Sequence, residues 1–185
     1  SRTGTINLGH RESSVPFSYY DGKRQVVGYS HDLMLAVVER IRRELKLPAL
    51  TVKLVPVTSQ NRIPLVQNGS VDLECGSTTH NRERARHVGF SVSIFQTSSR
   101  LLTRRDSGIQ ELADLKGRRI AVTAGTTSER SLLLHSESTG VRFEIVTVKD
   151  HGDGLSRVQE GRAEAFLMDE AMLYGLRAKA DQPAD

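Results

Sequence analysis

Gly9-His10-Arg11-Glu12-Ser13-Ser14-Val15-Pro16-Phe17-Ser18-Tyr19-Tyr20-Asp21 follows the short β-type run Thr5-Ile6-Asn7-Leu8 and breaks into Ser, Pro and Asp. An arginine therefore stands where a strand stops and a loop begins. In open α/β sheets ligands bind beyond the carboxyl ends of the strands. Polar residues end several later strands in the same way, so the pattern reads as a small-molecule site assembled from many loops.

Outward from that stretch, strand and helix alternate. Ser30 to Leu45 carries Leu33, Val37, Ile41 and Leu45 at helical spacing, with Ser30 as the expected N-cap and Pro48 beyond the stop. Thr51 to Val57 reads as a strand. A short helix is capped by Ser59 or Asn61 and ends near Asn68-Gly69. Val71 to Glu74 reads as a strand, Asn81 to Arg86 as a helical turn and Val92 to Leu102 as extended chain. A second series starts near Leu101, with a short helix over Ile109 to Leu115 and a strand over Arg119 to Thr123. A helix from the Gly125 turn to about Ser138 and a strand from Phe143 to Val148 follow. Then come a helix from His151 to Glu160, a strand from Ala163 to Met168 and a helix from Asp169 to Ala180. Strands separated by helices predict βαβ units and mainly parallel sheets. Two such series predict two α/β lobes, 1–100 and 101–185, joined near Ser98 to Thr103, with ligands taken in a cleft between lobes.

The bulk composition narrows the function classes. The chain has 185 residues, 37% hydrophobic and 26% charged, a balance that fits a folded globular protein. No apolar run approaches membrane-spanning length. The formal net charge is +4. Its basic residues are dispersed, without the coherent aromatic-laced stripe that nucleic-acid binding requires, and a positive field favours small anions. Cys75 is the only cysteine, which excludes an intrachain disulfide; it reads as a buried, inert thiol. No signal peptide is read at the start of the sequence, and mature or trimmed chains lack one as well.

Several residues could hold a ligand. Gly125-Thr126-Thr127 lies between strand and helix, where backbone N–H groups and a helix dipole can seat a carboxylate or phosphate; no Gly-Lys-Ser/Thr follows, so it is not a P-loop. By spacing alone, an ordinary helix cap explains it slightly better. Ser77-Thr78-Thr79 follows a strand end and precedes Arg84; hydroxyls and a guanidinium together clamp carboxylates, although a solvated loop accounts for either alone. Arg62 follows Thr58-Ser59-Gln60-Asn61 at a helix start, where its charge opposes the dipole. His151 has no second His or Cys at ligand spacing, so no metal site is expected, and no nucleophile stands out beside it. Asp169 ends a strand and caps the next helix or binds an ammonium. Three cations (Arg11, Arg62, Arg84), the Thr126/Thr127 turn and one anion complement a ligand with two carboxylates and one ammonium.

Gly9 to Asp21, Thr58-Ser59-Gln60-Asn61-Arg62-Ile63-Pro64-Leu65, Glu74-Cys75-Gly76-Ser77-Thr78-Thr79 and Lys149-Asp150-His151-Gly152-Asp153 resemble the periplasmic glutamate/aspartate-binding proteins of bacterial ABC importers. The resemblance covers essentially the whole chain. It implies a type II periplasmic-binding fold: two α/β lobes of mainly parallel sheets flanked by helices, closing about a hinge near residues 98–104. It also implies a periplasmic, non-enzymatic, cofactor-free carrier that captures L-glutamate or L-aspartate and delivers it to an inner-membrane permease. By position, Arg84, with Thr79 and Thr126-Thr127, would hold the α-carboxylate. Asp169 and groups near Ser77 would take the ammonium. Arg11, Ser59, Arg62 and His151 would surround the side-chain carboxylate. Family members return from the second lobe to the first, whereas this sequence ends at Pro183-Ala184-Asp185; an incomplete first lobe with exposed apolar surface is the expectation. The same fold also serves ligand-sensing domains and, with a suitably aimed acid or base, dehydratases of the cyclohexadienyl type; Glu12 is the only acid in the opening motif.

Overall fold

Thr5–His10 forms β1, the central strand of a parallel sheet, in a computed structural model that describes residues 4–180; Pro183-Ala184-Asp185 lie outside the described residues. The chain divides into two units, Ser1–Ile94 and Phe95–Asp185.

In the first unit β1 is followed by β2 (Ser13–Ser14), β3 (Ser18–Tyr20) and β4 (Val26–Val27), a small antiparallel sheet. Then come α1 (Tyr29–Glu44), β5 (Thr51–Pro56), α2 (Arg62–Gln67) and β6 (Leu73–Glu74). The main sheet has the order β5-β1-β6, with Gly9 paired to Val55 on one side and Glu74 on the other. Its parallel pairs need crossover helices, which α1 and α2 supply. Ile6 and Leu8 of β1 pack with Met34, Val38 and Leu50 into the core.

The buried stripe of α1 is not the expected one. Met34 and Val38 are buried, whereas Val37 is 48% and Leu45 64% exposed. Residues 33–38 are all apolar, so periodicity fits two stripes about one residue apart. The helix also starts earlier, with Gly28 rather than Ser30 as N-cap. Gly28 has φ 124°, and a Cβ there would stand 2.5 Å from the Phe17 carbonyl oxygen. Only glycine tolerates that combination.

In the second unit, β7 (Ser99–Thr103) precedes two 3₁₀ turns, Arg105–Ser107 and Leu112–Leu115. β8 (Arg119–Thr123), α3 (Thr127–Thr139), β9 (Glu144–Val148), α4 (His151–Gln159), β10 (Ala165–Asp169) and α5 (Glu170–Ala178) follow. The order is β7-β10-β8-β9; β7 alone runs antiparallel. Leu115, Ile120, Val122, Leu132 and Ala165 form its core. Of the stretch Val92–Leu102 expected to be extended, only residues from Ser99 onward form a strand, and Val92 is 85% exposed. In place of the expected helix over Ile109–Leu115, only the four-residue 3₁₀ turn forms.

Strand order places the polar loops. In the first unit the chain leaves β1 toward β5 on one side, while β6 lies on the other; the carboxyl ends of β1 and β6 therefore flank a switch point. In the second, β8 connects to β9 on one side and β10 lies on the other, so the carboxyl ends of β8 and β10 do the same.

Candidate functional site

Arg11 immediately follows β1 at the first of these switch points and is wholly buried. Its amide donates to Ser18 Oγ at 3.0 Å, and its carbonyl lies 3.2 Å from His10 Nδ1. β2 and β3 therefore pin the backbone on which the guanidinium is carried. Its aliphatic stem runs over Gly76, where a Cβ would stand 2.7 Å from Arg11 Cγ. Ser30 Oγ donates to the Gly76 carbonyl at 2.8 Å, tying this loop to the first turn of α1.

After β5 the chain forms a reciprocal turn. Thr58 N donates to Asn61 Oδ1 at 2.7 Å, and Asn61 N donates to Thr58 Oγ1 at 3.2 Å. That turn buries Ser59 and delivers Arg62 as the first residue of α2, 3% exposed. Asn61 is the N-cap, yet no side chain caps the helix; the asparagine is committed to Thr58. The Ser59 hydroxyl is buried with no hydrogen-bond partner among the described residues.

After β6, Ser77 Oγ donates to Ser14 Oγ at 3.3 Å. Arg84 opens a 3₁₀ turn over Arg84–Arg86, its amide held by Asn81 Oδ1 at 2.9 Å; its Nη1 donates to the Thr79 carbonyl, also at 2.9 Å. The loops after all three parallel strands thus bring Arg11, Ser59, Arg62 and Ser77 to one end of this sheet, with Thr79 and Arg84 on the continuation of the last.

In the second unit Thr126 caps α3. Its Oγ1 accepts from Glu129 N at 3.2 Å and donates to the Thr123 carbonyl at 2.7 Å. The Gly125 amide donates to Glu129 Oε2 at 2.8 Å. The expectation of open amides in this turn therefore needs correction at Gly125: the Glu129 carboxylate from the first helical turn already occupies that donor, one residue before the cap. His151 opens α4, wholly buried, with Nδ1 2.9 Å from Thr123 Oγ1. Asp169 ends β10 and is the N-cap of α5, but its carboxylate makes no capping hydrogen bond. Capping does not account for the acid there.

Burial adds residues that spacing did not reveal. The Ser128 hydroxyl is wholly buried in the first turn of α3 without a partner among the described residues. His10 and His31 are buried near each other, and burial pushes His31 below its ordinary pKa, with Asp32 opposing the shift and His10 adding to it. Glu74 ends β6 beside Gly76. A buried histidine or serine has no linear signature; Glu74, a carboxylate at the end of a strand, was the one readable signal. Cys75 is half-buried rather than buried as expected; burial and the neighbouring Glu74 charge push its thiol up to about 11, which keeps it protonated and inert. Among the described residues no group of three or more His, Cys, Asp or Glu could hold a metal. A groove of about 400 Å³ lies elsewhere, near the start of β1 and the end of α1, lined by Ile41, Leu45, Leu47 and Leu50.

The chain is similar to the glutamate/aspartate import solute-binding protein of Salmonella typhimurium, 52% identical over 185 residues covering 99% of this chain and 61% of that protein. It is equally similar to the L-glutamate/L-aspartate-binding protein of Pseudomonas aeruginosa, 52% identical over 184 residues, again 99% of this chain and 61% of the relative. The chain thus spans about three fifths of the length of these curated relatives. Among solved structures, the truncated, arginine-bound ArgBP from T. maritima matches with a TM-score of 0.82 at 26% identity, covering 96% of this chain and 79% of that one. An ancestral amino-acid-binding protein, a precursor of cyclohexadienyl dehydratase, matches at 0.80 and 27% identity, covering 96% and 75%. These neighbours share the type II periplasmic-binding fold expected from the sequence. Residues 6–179 match the family model of bacterial extracellular solute-binding proteins, family 3, and the chain belongs to that family.

Proposed function

We propose that this chain carries the ligand-recognising residues of a periplasmic carrier that captures L-glutamate or L-aspartate and passes it to an ABC-importer permease in the inner membrane. The observation that carries the reading is the burial of two arginines, Arg11 and Arg62, at one end of the first unit's sheet. Guanidinium stays protonated at any physiological pH and pairs bidentately with carboxylates. A side-chain carboxylate complements these groups in charge and geometry; a side-chain amide does not match the charge.

Residue by residue, Arg11, Ser59, Arg62 and His151 take the side-chain carboxylate. Arg84, Thr79 and the Thr126-Thr127 turn take the α-carboxylate, and Asp169 and Ser77 the ammonium. The position of Asp169, a half-buried acid at the carboxyl end of β10, supports the ammonium assignment. The relatives that are 52% identical carry names of binding proteins, and we assign no catalysis and no cofactor to the chain.

Calorimetric titration of the folded protein with L-glutamate, L-aspartate and L-glutamine tests the proposal. Heat with one or both acids, and affinity for glutamine weaker by roughly a hundredfold or more, is the expected result. A folded sample that takes up neither acid overturns it. Turnover of a cyclohexadienyl acid, followed by absorbance, would instead establish an enzyme.

A further inference from the structure

Asp169 has the residue type, the position and the backbone of a helix cap. It is the N-cap of α5 with φ −64° and ψ 132°, in the extended region that capping residues adopt. A capping side chain takes the amide of the second or third helical residue, here Ala171 or Met172. The Asp169 carboxylate makes no such bond. The Ala171 amide donates instead to Thr97 Oγ1 at 3.3 Å, and the Glu170 amide to the Ser98 carbonyl at 2.8 Å. Strand register brings these groups together: Asp169 pairs with Ser99, so the two residues ahead of β7 run past the first turn of α5. Glu170, the other acid of that turn, is held by the same segment. Ser98 Oγ donates to its Oε2 at 3.4 Å, and Arg100 Nε lies 3.7 Å from its Oε1.

We propose that Thr97 is a positioning residue for Asp169: by occupying the Ala171 amide it takes over the cap and keeps the carboxylate off the end of α5, available to the ligand ammonium. Open amides and the dipole at a helix N-terminus attract a nearby anion. With the Ala171 amide open, capping would compete with the ammonium for the same carboxylate. A hydroxyl from the segment before β7 removes that competitor and still satisfies the helix end.

The inference rests on the assignment of Asp169 to the ammonium, and its test separates the two. Calorimetry measures L-glutamate affinity in the unmodified protein, in Thr97→Val, which keeps the shape and loses the hydroxyl, and in Thr97→Ser, which keeps the hydroxyl. Thr97→Val should weaken glutamate by roughly two- to thirtyfold, the range set by one capping bond, and Thr97→Ser should bind as the unmodified protein does. Equal affinity in Thr97→Val and the unmodified protein overturns the inference. Amide hydrogen exchange at Ala171, without ligand, reads the cap itself. Asp169→Ala alone should leave that rate unchanged; a faster rate makes Asp169 the cap and overturns the proposal whether or not Thr97→Val folds. In the Thr97→Val background Asp169→Ala should speed the exchange, because the carboxylate has moved onto the amide. A merely structural Thr97 would leave the rate indifferent to Asp169 in both backgrounds, which also overturns the inference. Failure of the unmodified protein to take up glutamate sinks the ammonium assignment and this inference with it.

Discussion

Thr123 Oγ1 and His151 Nδ1 lie 2.9 Å apart, both wholly buried, one at the end of β8 and the other at the start of α4. The hydroxyl fixes the ring plane and, through the tautomer, what Nε2 offers on the far side. Thr123→Val keeps the shape and removes the partner, leaving a buried ring nitrogen unsatisfied. The expected loss is about 1–3 kcal/mol, divided between stability of the second unit and affinity for the acidic ligand. Urea melts with and without glutamate measure the division. An unchanged affinity would remove His151 from the ligand contacts.

Arg62→Gln separates function from stability. As the first residue of α2, Arg62 opposes the helix dipole, an unfavourable contribution of about 0.3–1 kcal/mol that its removal relieves in the ligand-free protein. Affinity for glutamate should fall by about 2–5 kcal/mol, and glutamine should lose much less. A variant that destabilises the protein and binds glutamate normally would make Arg62 a structural residue.

The regular elements of the second unit were largely legible in the sequence. β8 has the bounds Arg119–Thr123 that its apolar run predicts, and β9, β10, α3 and α4 lie within two residues of expectation. Their β-branched runs and their glycine or acid boundaries agree with one another. The first unit was less legible. β2, β3 and β4 have two or three residues each, too few for any period, and the apolar block at 33–38 fits two helix faces. Arg11 could be read because it stands at a strand end, and Arg62 because a cation at a helix start opposes the dipole. The support behind Arg11 could not, because Ser18 and Gly76 meet it, and Ser30 in turn holds Gly76, through backbone atoms or contacts distant in sequence.

Gly154→Ala tests packing without touching the proposed contacts. A Cβ there would stand 2.4 Å from Phe166 Cε2, and the ring is wholly buried. Either the ring or α4 must shift, which costs about 1–3 kcal/mol. Equilibrium unfolding should show that loss. If stability is unchanged, α4 and β10 are packed less closely than the distance implies.

His31 gives the first unit a dependence on acid. It is 6% exposed in α1, next to Asp32 and near His10, and its Nδ1 has no hydrogen-bond partner among the described residues. Burial lowers its pKa from 6.5, His10 acts in the same direction and Asp32 opposes both. The unfolded chain therefore takes up the proton first as pH falls. Between the unfolded value of 6.5 and the lower folded value, the unfolded state holds more protons, and stability declines with falling pH. Above 6.5 both states are neutral at this site and the contribution is fully present. Urea unfolding across this range should show stability falling below about pH 6.5. His31→Gln should flatten that slope relative to the unmodified protein. An equal slope in both would assign the acid sensitivity to other groups and leave His31 a neutral core residue.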